Sequence, residues 1–232
     1  GRSEVGWCGS CWALCCSHRA RAFLGGDVMF TIYMQFGLGF VVSGMQELFP
    51  LFCANDEHGL GLEPTELGTA LAPLGVSLVL WPFVLTHLVR RWGTVFCFRL
   101  GMLVFVVVNA CIPALRAARD RSSGVLWAAI TTISMLRGVG GVSAFTSISV
   151  MMNNLLHEHV GLMNGLANSA SALARSLAPT TMGALFATFM RSDWPFPLDV
   201  HAPFYLISLL ALLTLALSLR FDISAPGRVD KI

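Results

Sequence analysis

Charged residues along this chain bunch into short clusters and leave six long, mostly apolar stretches between them. The first runs from about Val28 to Ala54, the second from Leu67 to Leu88 and the third from Val95 to Leu115. The fourth runs from about Val125 to Met152, the fifth from Gly161 to Met190 and the sixth from Phe204 to Leu219. A helix rises about 1.5 Å per residue and a bilayer core is about 30 Å thick, so the pattern predicts six membrane-spanning helices. The expected class is an all-α membrane protein.

The connections are short and polar. "NDEHGLGLEPTE" is acidic and broken by Gly and Pro, "VRRWGT" is basic, "RAARDRSSG" is mixed, "NNLLHEHVG" carries two His, and "RSDWPFPLDVHAP" is Pro-rich with an interfacial Trp. None is long enough for a soluble domain. The expected organisation is therefore a tail or central loop at 1–24, one six-helix transmembrane domain at 25–222, and a cytoplasmic tail at 223–232.

Composition strengthens that reading. Charged residues are 12% and hydrophobic residues 55% of the 232-residue chain, against about 25% charged in a typical soluble domain. So few charges cannot cover a soluble surface, which makes the lipid bilayer the first partner. A net charge of +2 with no polybasic run gives no support to a nucleic-acid partner. The chain starts at Gly1, and the stretch to Leu24 lacks the core and cleavage site of a secretory signal, so a fragment of a longer protein is expected. If the amino-terminal tail is cytoplasmic, that side holds Arg2, Arg19, Arg21, Arg90, Arg91, Arg220, Arg228 and Lys231, with Arg99 nearby. The other side holds Arg116, Arg119, Arg121 and Arg191. The bias favours both termini inside.

"WCGSCWALCC" tests the opposite idea, an enzyme. Cys-Gly-Ser-Cys-Trp matches the surroundings of a papain-type nucleophile, and His157 and His159 follow Cys11 at a separation inside that family's range of about 130 to 150 residues. Those His lie in a short loop between two spans, whereas a nucleophile needs its base in a water-accessible cleft. No βαβ pattern follows the CxxC, which removes the thioredoxin reading. Cys8, Cys11, Cys15 and Cys16 read as an unstructured lead-in or as juxtamembrane acylation sites beside Arg19 and Arg21. His18 could join them around zinc, but the spacing fits no established ligand pattern. No metal site and no cofactor is expected, and no enzyme.

Ionisable residues inside spans point to chemistry, because each costs about 2.5 to 3.5 kcal/mol to insert. Glu47, Arg137 and Arg175 are the three. In the fifth span Asn164, Asn168, Ser171 and Arg175 recur at helical spacing within an arc of about 60°, a polar stripe ending in a cation. Gly161 and Gly165 form a GxxxG, extended by Ser169, that predicts close helix packing, and Pro179 predicts a kink. In the fourth span Ser143, Thr146, Ser149 and Asn153 share a face, with Arg137 on roughly the opposite side unless "RGVGGV" bends the helix. In the first, Gln35, Ser43 and Gln46 share a face with Gly39, and Glu47 sits at its edge. Glu47 reads either as a proton-exchanging carboxylate or as an interfacial residue. Two cations against one acid leave negative charge to be supplied by a partner domain or by an anionic or zwitterionic substrate.

These residues carry a resemblance. "NNLLHEHVGLMNGLANSASALARSLAP" resembles the loop and eleventh helix of major facilitator superfamily transporters, through Asn153, Asn154, Asn164, Gly165, Arg175, Ala178 and Pro179. "QELFPLFCANDEHGLGLEPTELGTALAPLG" is similar to helices seven and eight of the zinc-induced facilitator-like branch of drug:proton antiporters, and "LVRRWG" to the basic loop that follows. Gln46 stands where that branch usually has Asp, and the loop after Asn154 has His157 and His159 but no Arg or Lys. The resemblance implies the carboxyl-terminal half of such a transporter, a 3+3 inverted repeat with its substrate site against a six-helix amino-terminal half.

The expected function is then proton-coupled export of a small organic solute such as a metal chelator or a drug, by a multi-pass protein of a plasma or vacuolar-type membrane. Arg175, Arg137, Asn164, Asn168, Ser171, Gln35, Ser43 and Gln46 would line the substrate pathway, and Glu47 would exchange protons. The rival expectations are a transport-incompetent half acting as an interaction or regulatory membrane protein and, remotely, a papain-like cysteine hydrolase.

Overall fold

The computed structural model describes residues 26–57, 59–155, 160–191 and 200–219. The tails at 1–24 and 223–232, the four amino-terminal cysteines, and His157 and His159 lie outside the described residues. Six long helices occupy the six apolar stretches: α1 (Gly26–Ala54), α2 (Pro64–Trp92), α3 (Thr94–Cys111), α5 (Ser123–Leu155), α6 (Val160–Arg191) and α7 (Ala202–Ser218). A 3-10 turn at Ile112–Ala114 and the short α4 (Leu115–Arg119) prolong α3. No strand occurs among the described residues. The protein is an all-α, multi-pass membrane protein.

Four of these segments, α1, α2, α3 with its α4 extension, and α5, are long and apolar enough to cross a membrane. The other two depart for opposite reasons. α7 is apolar but only 17 residues long, whereas α6 has 32 residues but carries the polar stripe.

Local chemistry sets the helix ends. Pro64 opens α2 at a position that needs no N–H donor, and the Glu63 amide donates to Glu66 Oε2 at 3.1 Å. Gly93, at φ 83°, ends α2 and starts α3. That φ is hard for any residue with a Cβ, so the α2–α3 turn depends on this glycine.

α1 packs mainly on α6 and α7, α3 on α5 and α7, and α2 on α5. Met34, Leu38, Val41, Met45, Phe49 and Phe52 of α1 form a fully buried stripe, and Phe52 meets Phe204 of α7 edge-on at 5.3 Å between centroids. The glycines of "RGVGGV" leave α5 as one continuous helix and serve crossings instead. A Cβ on Gly101 of α3 would lie 2.8 Å from the Gly140 carbonyl, and one on Gly138 would run into Ser77 of α2.

α6 corrects the packing expectation. A Cβ on Gly161 or Gly165 would meet nothing within 4 Å, so this GxxxG packs against no neighbour among the described residues. The close approach is made by α1: a Cβ on Gly39 would lie 2.9 Å from Ser171 Oγ and 3.4 Å from Ala174 Cβ. The buried seam of α6 is Met163, Ala167, Ser171, Ala174, Ala178, Met182 and Phe186, narrowest at its middle. Small residues at mid-membrane let the two backbones approach.

Candidate functional site: a cleft lined by two arginines

α1, α2, α5 and α6 surround a cleft of about 450 Å³. α1 contributes Val42, Ser43, Met45 and Gln46, and α2 contributes Leu74, Leu78 and Pro82. α5 gives Arg137, Gly138, Gly141, Val142, Phe145 and Thr146, α6 gives Arg175, and α3 gives Phe105. The lining contains two cations and no carboxylate.

Arg137 is nearly fully buried, at 4% exposure. Its Nη2 donates to the Met45 carbonyl at 3.1 Å, and its guanidinium sits 4.5 Å from the centroid of Phe49. Its Nη1 has no hydrogen-bond partner. A ring face gives a cation about 0.5 to 2 kcal/mol, less than the cost of a buried orphan donor on a charged group, so the site is left short of negative charge. Arg175 is exposed towards the cleft and stacks 4.7 Å from the centroid of Phe145. Neither arginine is ion-paired among the described residues.

Ser43, Gln46, Arg137 and Arg175 thus come together in the cleft. Ser171 is buried against Gly39, with its Oγ unpartnered, and Gln35 is buried on α1. Asn164 donates to Asn153 Oδ1 at 2.7 Å, tying α6 to α5, and Asn168 is exposed. Glu47 is exposed and does not line the cleft, although its neighbour Gln46 does. Periodicity put Arg137 opposite Thr146 on α5, yet both line this cleft. An angle about one helix axis does not locate the far end of a long side chain.

The sequence reading missed the two stacking rings, Phe49 and Phe145, and the contribution of α2. Trp81 Nε1 donates to Ser143 Oγ at 2.8 Å, clamping α2 to α5 beside the cleft. A Trp in the middle of a predicted span, needing a partner for its N–H, was the available signal. A second cleft of about 790 Å³ carries Arg90, Arg91 and Trp92 at the α2–α3 turn and shares Pro82 and Thr146 with the first.

Residues 12–179 match the family described as Major Facilitator Superfamily. The chain belongs to that superfamily. Members of the major facilitator superfamily are transporters, and the relatives of this chain carry such names. It is 28% identical over 165 residues to major facilitator-type transporter psiT2 of Psilocybe cyanescens, covering 65% of this chain and 31% of that protein. It is 27% identical over 146 residues to ZINC INDUCED FACILITATOR-LIKE 1 of Arabidopsis thaliana, covering 61% and 30%. It is 29% identical over 189 residues to multidrug transporter mfsB of Aspergillus fumigatus, covering 72% and 30%. The chain therefore spans about a third of the length of these curated relatives. No solved structure matches it significantly.

Proposed function

We infer that this major facilitator superfamily chain is the carboxyl-terminal six-helix half of a secondary active transporter, not an enzyme, and that a small organic solute passes through the cleft of Arg137 and Arg175. The observation that carries the reading is the cleft itself. Two guanidiniums from different helices reach one cavity whose lining holds no carboxylate, and unpaired cations at membrane depth mark substrate pathways or partner-domain contacts. The charge comes from the solute or from a six-helix amino-terminal half. Gln46, Ser43 and Thr146 offer hydrogen bonds, and Glu47, one residue from the lining, is the candidate proton site.

The test is ΔpH-driven solute uptake into proteoliposomes by the full-length transporter that contains this half. Arg175→Ala should abolish uptake while the protein still inserts and stays folded; unchanged uptake removes Arg175 from the pathway.

A further inference from the structure

The helices around the cleft share a register that the transport reading does not use. Of the four prolines inside α1, α2 and α6, all but Pro73 lie four residues beyond a residue that lines the cleft: Pro50 after Gln46, Pro82 after Leu78, and Pro179 after Arg175. Proline has no N–H, and its ring pushes away the carbonyl four residues earlier. The Gln46, Leu78 and Arg175 carbonyls therefore lose their α-helical donors on three different helices around one cavity. A carbonyl left without its α-helical donor in a bilayer is satisfied by a local adjustment of its helix, by water, by a side chain or by a ligand. No side-chain donor reaches any of the three among the described residues.

The same cavity holds the opposite deficit. Arg137 Nη1 is a buried donor without an acceptor, and Arg175 has a ring contact but no anion. The cleft is short of negative charge, and the proline-bearing helices around it are each short of an N–H donor. The same lining holds Val42, Leu74, Val142 and Phe145.

Resting on the transport reading, we propose that the ligand of this cleft is a small amphiphilic zwitterion, an organic acid that also carries an ammonium group on an apolar body. Its carboxylate meets the Arg137 and Arg175 guanidiniums, its ammonium donates to the proline-freed carbonyls, and its apolar part lies on Phe145. A carboxylate bonded to guanidinium gains from charge assistance and from bidentate geometry. A cation lacking the acid group meets two like charges and no carboxylate.

Three probes with one phenyl ring and one side-chain length separate the possibilities: phenylalanine, 3-phenylpropionate and 2-phenylethylamine. Binding is measured on the protein in lipid nanodiscs by competition against radiolabelled phenylalanine. The expected order is phenylalanine, then 3-phenylpropionate, then 2-phenylethylamine, with the amine weaker than the zwitterion by about tenfold or more. Arg175→Gln should weaken both acids by a similar factor and strengthen the amine by removing a like charge; since Arg175 is exposed to the cleft, this variant does not depend on a core contact. Pro50→Ala and Pro179→Ala restore a helical donor without altering a lining side chain, and should shrink the advantage of phenylalanine over 3-phenylpropionate. An amine that binds as tightly as the acids, acid binding indifferent to Arg175→Gln, or an unchanged advantage in both proline variants would each overturn the proposal. Transport is scored separately. Binding in the expected order without uptake defeats the transport reading and leaves this one standing, whereas uptake of a solute that the acids do not compete with does the reverse.

Discussion

Arg137 in the middle of α5 donates Nη2 to the Met45 carbonyl of α1 at 3.1 Å, and through that bond and the Phe49 ring it fastens two helices that otherwise touch little. The bond satisfies one end of the guanidinium and leaves Nη1 buried without a partner. A residue needed only for stability would rarely be left half-satisfied at this depth. A buried guanidinium with an unpartnered donor bears a desolvation cost that an apolar side chain of similar volume does not. Arg137→Met should therefore hold or raise the thermal midpoint in nanodiscs while solute uptake is lost. A large drop in stability with uptake retained would make Arg137 a structural residue.

Gly39 and Gly165 should behave as opposites. A Cβ on Gly39 meets Ser171 Oγ at 2.9 Å and the Ser171 carbonyl at 3.2 Å, whereas one on Gly165 meets nothing within 4 Å. Gly39→Ala should destabilise the fold by about 1 to 3 kcal/mol as an overpacked interface. Gly165→Ala should be neutral, or stabilising by up to about 1 kcal/mol through helix propensity. Thermal unfolding of the two variants side by side checks the assignment of the α1–α6 seam.

The contrast between these glycines shows what a single sequence can and cannot reveal. The helices were legible because runs without charge have one stable state in hydrocarbon, and Arg137 and Arg175 stood out because a mid-span cation is costly. The GxxxG of Gly161 and Gly165 was legible as a small-residue row but not as a row without a neighbour, since periodicity fixes a face and not what lies against it. The same limit hid the Phe49 and Phe145 rings, which are ordinary span residues until two guanidiniums land on them. The shared register of Pro50, Pro82 and Pro179 becomes visible only when three helices are seen to border one cavity.

Trp81 and Ser143 form the clamp between α2 and α5, with 2.8 Å from Nε1 to Oγ. A neutral hydrogen bond of this kind contributes about 0.5 to 1.5 kcal/mol. Trp81→Phe and Ser143→Ala should each destabilise the fold, and the double variant should fall short of their sum by about the energy of the bond. Strict additivity in that cycle would mean that the contact carries no stability.

Glu47 lies outside the cleft lining but next to Gln46 within it. If it exchanges protons, Glu47→Gln should eliminate ΔpH-driven uptake yet preserve solute counterflow, which needs no net proton movement. Loss of both activities would place Glu47 in folding or in solute binding instead.

Arg137 and Arg175 place two cations and no carboxylate in the lining of the cleft, which should make it electropositive and open to water. Reaction rates of a single cysteine at Thr146, in a background with the native cysteines replaced, test it most directly. Rates with an anionic and a cationic methanethiosulfonate reagent are each normalised to a free thiol. The account predicts labelling with the anionic reagent favoured, and a loss of that preference in Arg175→Gln. No labelling, or a preference for the cationic reagent that Arg175→Gln leaves unchanged, would contradict it.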